Sequence, residues 1–309
     1  MKKVILVGYG ICLMLYGFSQ KTAVAKPTAD KSDKKIKAAP SSTSENTLLW
    51  EVSGNGLQNA SYLFGTMHIL CVEDSRLSDN LKIVIKETGQ IYFEIDMDNM
   101  MEMLGAMKYL QMNDGKKLKD LLTAEDYKKI TDYFAKNPAP IPLQMMEGFK
   151  PYFISSLISE QKMDCDKGGM EQVIMDESKQ YKKEIKGLET VEFQASVFDS
   201  IPYDQQAREL VKTIDSAATN SQVTDELIAV YKKQDLKKIE ELTMKEEGGV
   251  AEFIDLLLYN RNADWADKMK TIMKADRTLF AVGAAHLPGE KGLISLLRKK
   301  GYILKPVAN

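Results

Sequence analysis

Two apolar runs of strand character, more than two hundred residues apart, stop in the same way: "YLFGTMH" at 62–68 and "FAVGAAH" at 280–286. Each is an apolar run, a glycine, two small or apolar residues and a histidine, and His68 and His286 are the only two histidines in the chain. Short, nearly continuous apolar runs bounded by glycine read as strands buried on both faces. In open α/β sheets, side chains just beyond the carboxyl ends of such strands converge on one crevice. Glycine three residues before each histidine suits a backbone that turns tightly or comes close to a neighbouring strand. The shared frame therefore constrains the fold: both ends of the chain must feed one sheet.

The rest of the chain fits that demand. "TLLWEVSG" and "ASYLFGTMH" read as a hairpin across the turn-forming "NGLQN". "DSRLSDNLKIVIKET" has helical spacing with Ser78 and Asp79 as cap candidates, and "IYFEID" is a short strand ending in Glu94 and Asp96. Helical spacing runs from Asn99 to about Gln180, punctuated by Pro138, Pro140 and Pro142. "KEIKGLE" is a further strand. Thr190 is the N-cap of the helix after it, without a capping box, because Phe193 stands where Glu or Gln would close one. Helical spacing resumes over 204–275; then come the strand "TLFAVGAAH", the amphipathic helix "GEKGLISLLRKKGY" ended by Gly301, and a last strand "ILKPV". The expectation is an α/β fold, with α+β as its variant. A mixed central sheet is flanked by many helices, and a long helical insertion separates its N- and C-terminal portions.

The first residues read differently. "MKK" and the apolar "VILVGYGICLMLYGF" form a signal peptide over 1–25, with cleavage after Gln20 or Ala25; the run is short for a membrane-spanning anchor. Residues 26–46, "KPTADKSDKKIKAAPSSTSEN", have too little apolar surface to fold and read as a disordered tether. Export to a periplasmic or extracellular compartment follows. There, loss of Cys12 leaves Cys71 and Cys165, an even pair in an oxidising environment, which favours a disulfide. A formal charge of −2 and the absence of zinc-finger, Walker or RNA-binding spacings argue against nucleic acid as partner. The 17 methionines sit mostly at helical spacings and read as core filler.

Imidazoles beside a carboxylate support two chemistries. Two histidines and a glutamate are the protein ligands of one common catalytic zinc site. Alternatively, a neutral histidine takes a proton from water while a carboxylate fixes its tautomer, with no metal. No His-Glu-x-x-His or Gly-x-Ser-x-Gly segment decides the matter.

Through these residues the chain resembles the TraB/GumN family. The resemblance is carried by "LLWEVSG…ASYLFGTMH", "YFEID", "GMEQVIMDESKQYKKEIKGLETVEFQ", "LLYNRNADWADKM" and "FAVGAAHLPGEKGLISLLRKKGY". It implies one domain of that family over 47–309, relationship to the Tiki-type metal-dependent proteases, and a more distant similarity to erythromycin-esterase-like proteins. It also implies an active centre of His68, His286, Glu94 and Arg261. Where the family often shows Gly-apolar-Asp, this chain has Gly169-Met170-Glu171, an acid one methylene longer. The resulting expectation is a hydrolase of peptide or other acyl bonds with a peptide or small-molecule substrate. His68, Glu94 and His286 hold a divalent ion (zinc, manganese or cobalt), Glu171 acts as general base and Arg261 stabilises an anion. The rivals are a binding protein that sequesters a small peptide or other ligand, and a metal-independent histidine-based esterase.

Overall fold

The computed structural model describes residues 46–161, 163, 165–215, 221–244 and 253–309. The expected signal peptide and all but the last residue of the expected tether lie outside the described residues. Eight strands occur among those described: β1 (Leu49–Gly54), β2 (Ser61–Thr66), β3 (Leu70–Cys71), β4 (Gln90–Ile95), β5 (Lys167–Gly168), β6 (Glu184–Glu189), β7 (Thr278–Gly283) and β8 (Tyr302–Val307). Six of them form one mixed sheet in the order β6-β4-β7-β2-β1-β8, and β3 pairs with β5 separately. This is the α/β class expected.

The sheet follows from its side chains. All six positions of β2 and of β7 are buried, as in strands covered on both faces, whereas β8 alternates buried and exposed residues as an edge strand does. β1 and β2 form the expected hairpin, with Gly54, Asn55 and Gly56 all at positive φ in the turn between them. β6, β4, β7 and β2 run parallel, so their carboxyl ends share one rim. From β2 the chain passes through the helix Asp79–Glu87 to β4, on the far side of β7. From β7 it passes through the helix Leu293–Lys299 to β8, at the opposite edge. Two neighbouring parallel strands whose connections diverge leave a crevice at their carboxyl ends. His68 follows β2 and His286 follows β7.

The helical insertion brings a second core. Tyr152 stacks on Phe198 with ring centroids 4.2 Å apart, and Phe153 meets the same ring edge-on at 5.2 Å. Ile95 and Val191, at the carboxyl ends of β4 and β6, belong to this core, as does Leu257. The insertion therefore packs over the rim on which the histidines stand. The expected caps are present: Ser78 Oγ accepts from the Leu81 N–H and Thr190 Oγ1 from the Phe193 N–H. Gly301, at φ +88°, ends the last helix. Methionine departs from expectation. Met112, Met146, Met170, Met175, Met269 and Met273 are core residues, but Met100, Met101, Met107, Met145 and Met244 are exposed. Of the helix Met100–Tyr109 only Ala106 is buried, so most of its apolar residues face outward. No helix among the described residues is long and apolar enough to cross a membrane.

Candidate active site

Each histidine is set by its own strand. In β2, a Cβ on Gly65 would lie 3.1 Å from the Ala284 Cα and 3.1 Å from side-chain atoms of Leu48 and Leu287. The glycine of the first frame thus lets the two histidine-bearing turns press together. Glu94 points from the end of β4 between them. Its Oε1 accepts the Gly283 N–H at 2.8 Å and lies 3.9 Å from His68 Nε2 and 3.7 Å from His286 Nε2.

The other nitrogen of each ring has an orienting partner. His286 Nδ1 lies 2.6 Å from Asn262 Oδ1. The Asn262 amide donates through Nδ2 to the carbonyls of Lys291 (2.9 Å) and His286 (3.4 Å), so its oxygen must face the ring and accept. His286 therefore carries its proton on Nδ1, and the lone pair of Nε2 points toward Glu94. That Nε2 is fully buried without a hydrogen-bond partner. The Trp265 ring lies against His286 at 4.5 Å between centroids. His68 Nδ1 lies 2.8 Å from Glu171 Oε1, an ion pair with both side chains buried.

Glu171 reaches His68 because two loops are fastened together. Met170 N–H donates to the Met67 carbonyl at 3.1 Å, β3 pairs with β5, and a disulfide joins Cys71 to Cys165, as the export reading expected. Gly169 is indispensable there: a Cβ would sit 2.2 Å from the His68 carbonyl oxygen. Gly169→Ala is expected to cost about 1–3 kcal/mol, the usual range for forced overpacking, or roughly 2–12 °C in Tm by calorimetry. An unchanged Tm would show that the loops separate freely.

Behind Glu94 lies a buried ion network. Arg261 donates from one terminal nitrogen to Glu94 Oε2 (2.7 Å) and to Glu189 Oε1, from Nε to both Glu189 oxygens (3.1 and 3.2 Å), and from the other terminal nitrogen to the Leu257 carbonyl (2.8 Å). Gln194 Nε2 donates to Glu94 Oε2 and Glu189 Oε1, both at 3.0 Å, and Trp265 Nε1 to Glu189 Oε2 at 3.1 Å. Arg261 and Trp265 share one helix face, the guanidinium 4.7 Å from the indole centroid.

Charge follows from these contacts. Burial pushes the Glu94 carboxyl up, but Arg261 first and then the two imidazoles and the Gly283 N–H outweigh it and hold it at about 2. Burial likewise opposes charge on His68, yet Glu171 and then Glu94 raise it to about 9. For His286 burial wins over Glu94 and brings it down to about 3. Burial raises the Glu189 carboxyl against the pull of Arg261.

All five residues singled out in the sequence, His68, Glu94, Glu171, Arg261 and His286, thus meet in one contact network. Asp96, also at the end of β4, does not; it lines a groove with Tyr92, Lys186 and Phe193. Glu189, Gln194 and Asn262 belong to the network and were not singled out. Glu189 was readable by the rule used for Glu94, since "KEIKGLE" is another strand ending in an acid. Among the described residues, three candidate metal-donor atoms all within 4.8 Å of one another occur at Cys71, Glu73 and Asp74, where the sulfur is already spent in the disulfide. The His68–Glu94–His286 trio is more open than that, with Glu94 Oε1 as its middle point.

The sequence pattern of the TraB/PrgY/gumN family matches residues 48–306. Among curated proteins the chain is 22% identical to "Metalloprotease TIKI1" of Danio rerio, over 83% of this chain and 62% of the relative. It is 20% identical to "Metalloprotease TIKI1" of Homo sapiens, over 85% and 62%. Identity to "Metalloprotease TIKI homolog" of Amphimedon queenslandica is 22%, over 84% and 61%. The chain thus spans about three fifths of the length of these relatives. No solved structure matches it. With the family's pattern covering all but the first 47 and last three residues, the chain belongs to the TraB/PrgY/gumN family.

Proposed function

We propose that this protein is an exported, metal-dependent hydrolase of peptide or other acyl bonds, with His68, Glu94 and His286 as ligands of one divalent cation. The observation that carries the reading is the outer ring of contacts. Each imidazole has Nδ1 fixed by an acceptor, Glu171 or Asn262, and Nε2 turned toward one carboxylate oxygen. Ligating histidines are held in this manner, by a carboxylate or carbonyl on the nitrogen away from the ion. Charge supports it too. Glu94 and Glu189 share one buried guanidinium, so a cation held by Glu94 and the two imidazoles adds positive charge where buried carboxylates outnumber it. Two imidazole nitrogens and a carboxylate suit zinc, manganese or cobalt.

A cation so held acidifies water and polarises an acyl carbonyl. The chain's own residues do the rest. Asn262 keeps the proton of His286 on Nδ1, and Arg261 keeps Glu94 ionised. Because the hydrogen bonds of Arg261 run to Glu94, Glu189 and Leu257, we assign it a positioning role through Glu94 rather than direct contact with a substrate anion. Glu171 orients His68 through Oε1 and has Oε2 without a hydrogen-bond partner, available to take a proton from water. Export is supported by the signal-peptide pattern and by the disulfide, which persists in oxidising compartments.

A metal-free reading has one electrostatic argument in its favour. The two imidazoles are displaced in opposite directions, to about 9 and about 3, as in an acid and base pair. Hydrolysis of an unfolded-protein or peptide mixture, followed by release of new amino groups, separates the readings. Under the metal reading, chelation abolishes product formation and one equivalent of zinc, manganese or cobalt restores it. Hydrolysis that continues in chelator overturns it in favour of imidazole chemistry. Retention of peptide without product overturns it in favour of sequestration.

A further inference from the structure

The segment after His68 and the segment before Glu171 are tied across a seam with few contacts. β3 and β5 contribute two residues each, pairing Leu70 with Gly168 and Cys71 with Lys167. Val72 N–H donates to the Asp166 carbonyl at 2.8 Å, and Met170 N–H to the Met67 carbonyl at 3.1 Å. Strands this short have little stability of their own. The Cys71–Cys165 bond closes the seam from residues 94 apart in sequence, with Cα atoms 5.7 Å apart. It sits three residues after His68 and six before Glu171.

We infer that this disulfide is a positioning element of the site: it holds Glu171 against His68, so that opening the bond uncouples that imidazole from its carboxylate while His286 stays oriented. The inference rests on His68 belonging to the site, as proposed above. The asymmetry comes from the elements involved. His286 is oriented by Asn262, on the helix Asn260–Ala275, and Asn262 is pinned to the Lys291 carbonyl; these hydrogen bonds involve no residue of the seam. The bond opens by attack on one sulfur, either by a dithiol's thiolate, the dithiol ending as its own disulfide, or by a phosphine, which water converts to the phosphine oxide. Each supplies two electrons, and two protons, from the dithiol or the water, complete the cysteine thiols. The geometry of one imidazole thereby depends on the redox state of the compartment, and the other does not.

With two histidines in the chain, ring-nitrogen-labelled histidine gives two sets of imidazole signals, assigned with His68→Gln. Solvent exchange of each ring N–H is measured on the full chain as purified, after phosphine reduction, and in the double variant Cys71→Ser/Cys165→Ser. Free thiols are counted to establish reduction. The expected result is at least a tenfold faster exchange at His68 in both opened forms, with His286 unchanged. An unchanged His68 signal overturns the inference, because the backbone ties then suffice. Joint loss of both signals also overturns it, because the bond then supports the fold as a whole. The readout needs neither turnover nor bound metal, so failure of the hydrolase reading would leave its outcome intact and separately legible.

Discussion

Replacing Arg261 by methionine is expected to lower Tm by roughly 6–20 °C. The guanidinium is the common counter-ion of Glu94 and Glu189, whose side chains are 3% and 1% exposed. Methionine matches its length and supplies no charge, so both carboxylates would lose their shared buried counter-ion. Breaking a buried pair in this way costs about 3–5 kcal/mol, because the remaining ion keeps its desolvation penalty. At the 2–4 °C per kcal/mol usual for a domain of this size, that is the shift given. Arg261→Lys should fall between: a single ammonium restores charge but cannot span Glu94, Glu189 and the Leu257 carbonyl together. Adding Glu189→Gln to Arg261→Met removes one orphaned charge and should recover part of the loss, a non-additivity that only residues in contact show. Calorimetry on the parent, these three variants and Glu189→Gln alone decides it. A drop below about 3 °C for Arg261→Met would mean that groups other than the guanidinium balance Glu94 in the folded protein.

Most of this arrangement was legible in the sequence because strand ends leave a mark there. Apolar runs that stop at an acid or a histidine identified three of the four parallel strands at the rim, and the fourth, ending in Glu189, obeyed the same rule. The parallel order itself then carries side chains from residues 68, 94, 189 and 286 to one place. Contacts made from helices left no comparable mark. Gln194 is an ordinary helical glutamine until the fold sets it beside two carboxylates, and Asn262 differs from other asparagines only in meeting the His286 ring. The pairing of β3 with β5 was invisible because two residues cannot show an alternation of period two. Asp96 was misleading for a related reason. It shares the acid-terminated stretch with Glu94, but it falls just past the end of β4, where the chain leaves the strand and its carboxylate turns to a groove. The Met100–Tyr109 helix shows the limit of composition, since apolar residues at helical spacing do not say whether anything covers them.

Protein purified without chelator is expected to carry close to one equivalent of a divalent ion per chain, and His286→Gln less than about a tenth of that. The glutamine variant keeps a polar side chain of similar reach, but it lacks the buried Nε2 lone pair that stands 3.7 Å from Glu94 Oε1 with no hydrogen-bond partner. Two acceptors facing each other across that distance repel unless a positive centre lies between them, and a cation bound by both removes the repulsion. Asn262→Ala tests the same idea one contact further out. The ring would lose the acceptor that fixes its tautomer, and loss of such a partner typically weakens metal affinity 10–100-fold. Asp96→Asn, altering an acid on the same stretch outside the network, should leave the metal content unchanged. Elemental analysis of the purified proteins, followed by titration of the stripped forms with cobalt(II) and its visible absorption, gives both stoichiometry and affinity. If the parent protein takes up no ion in that titration, or if His286→Gln holds it as tightly as the parent, the deficit of buried positive charge is met by protons on the imidazoles, and the metal assignment fails with it.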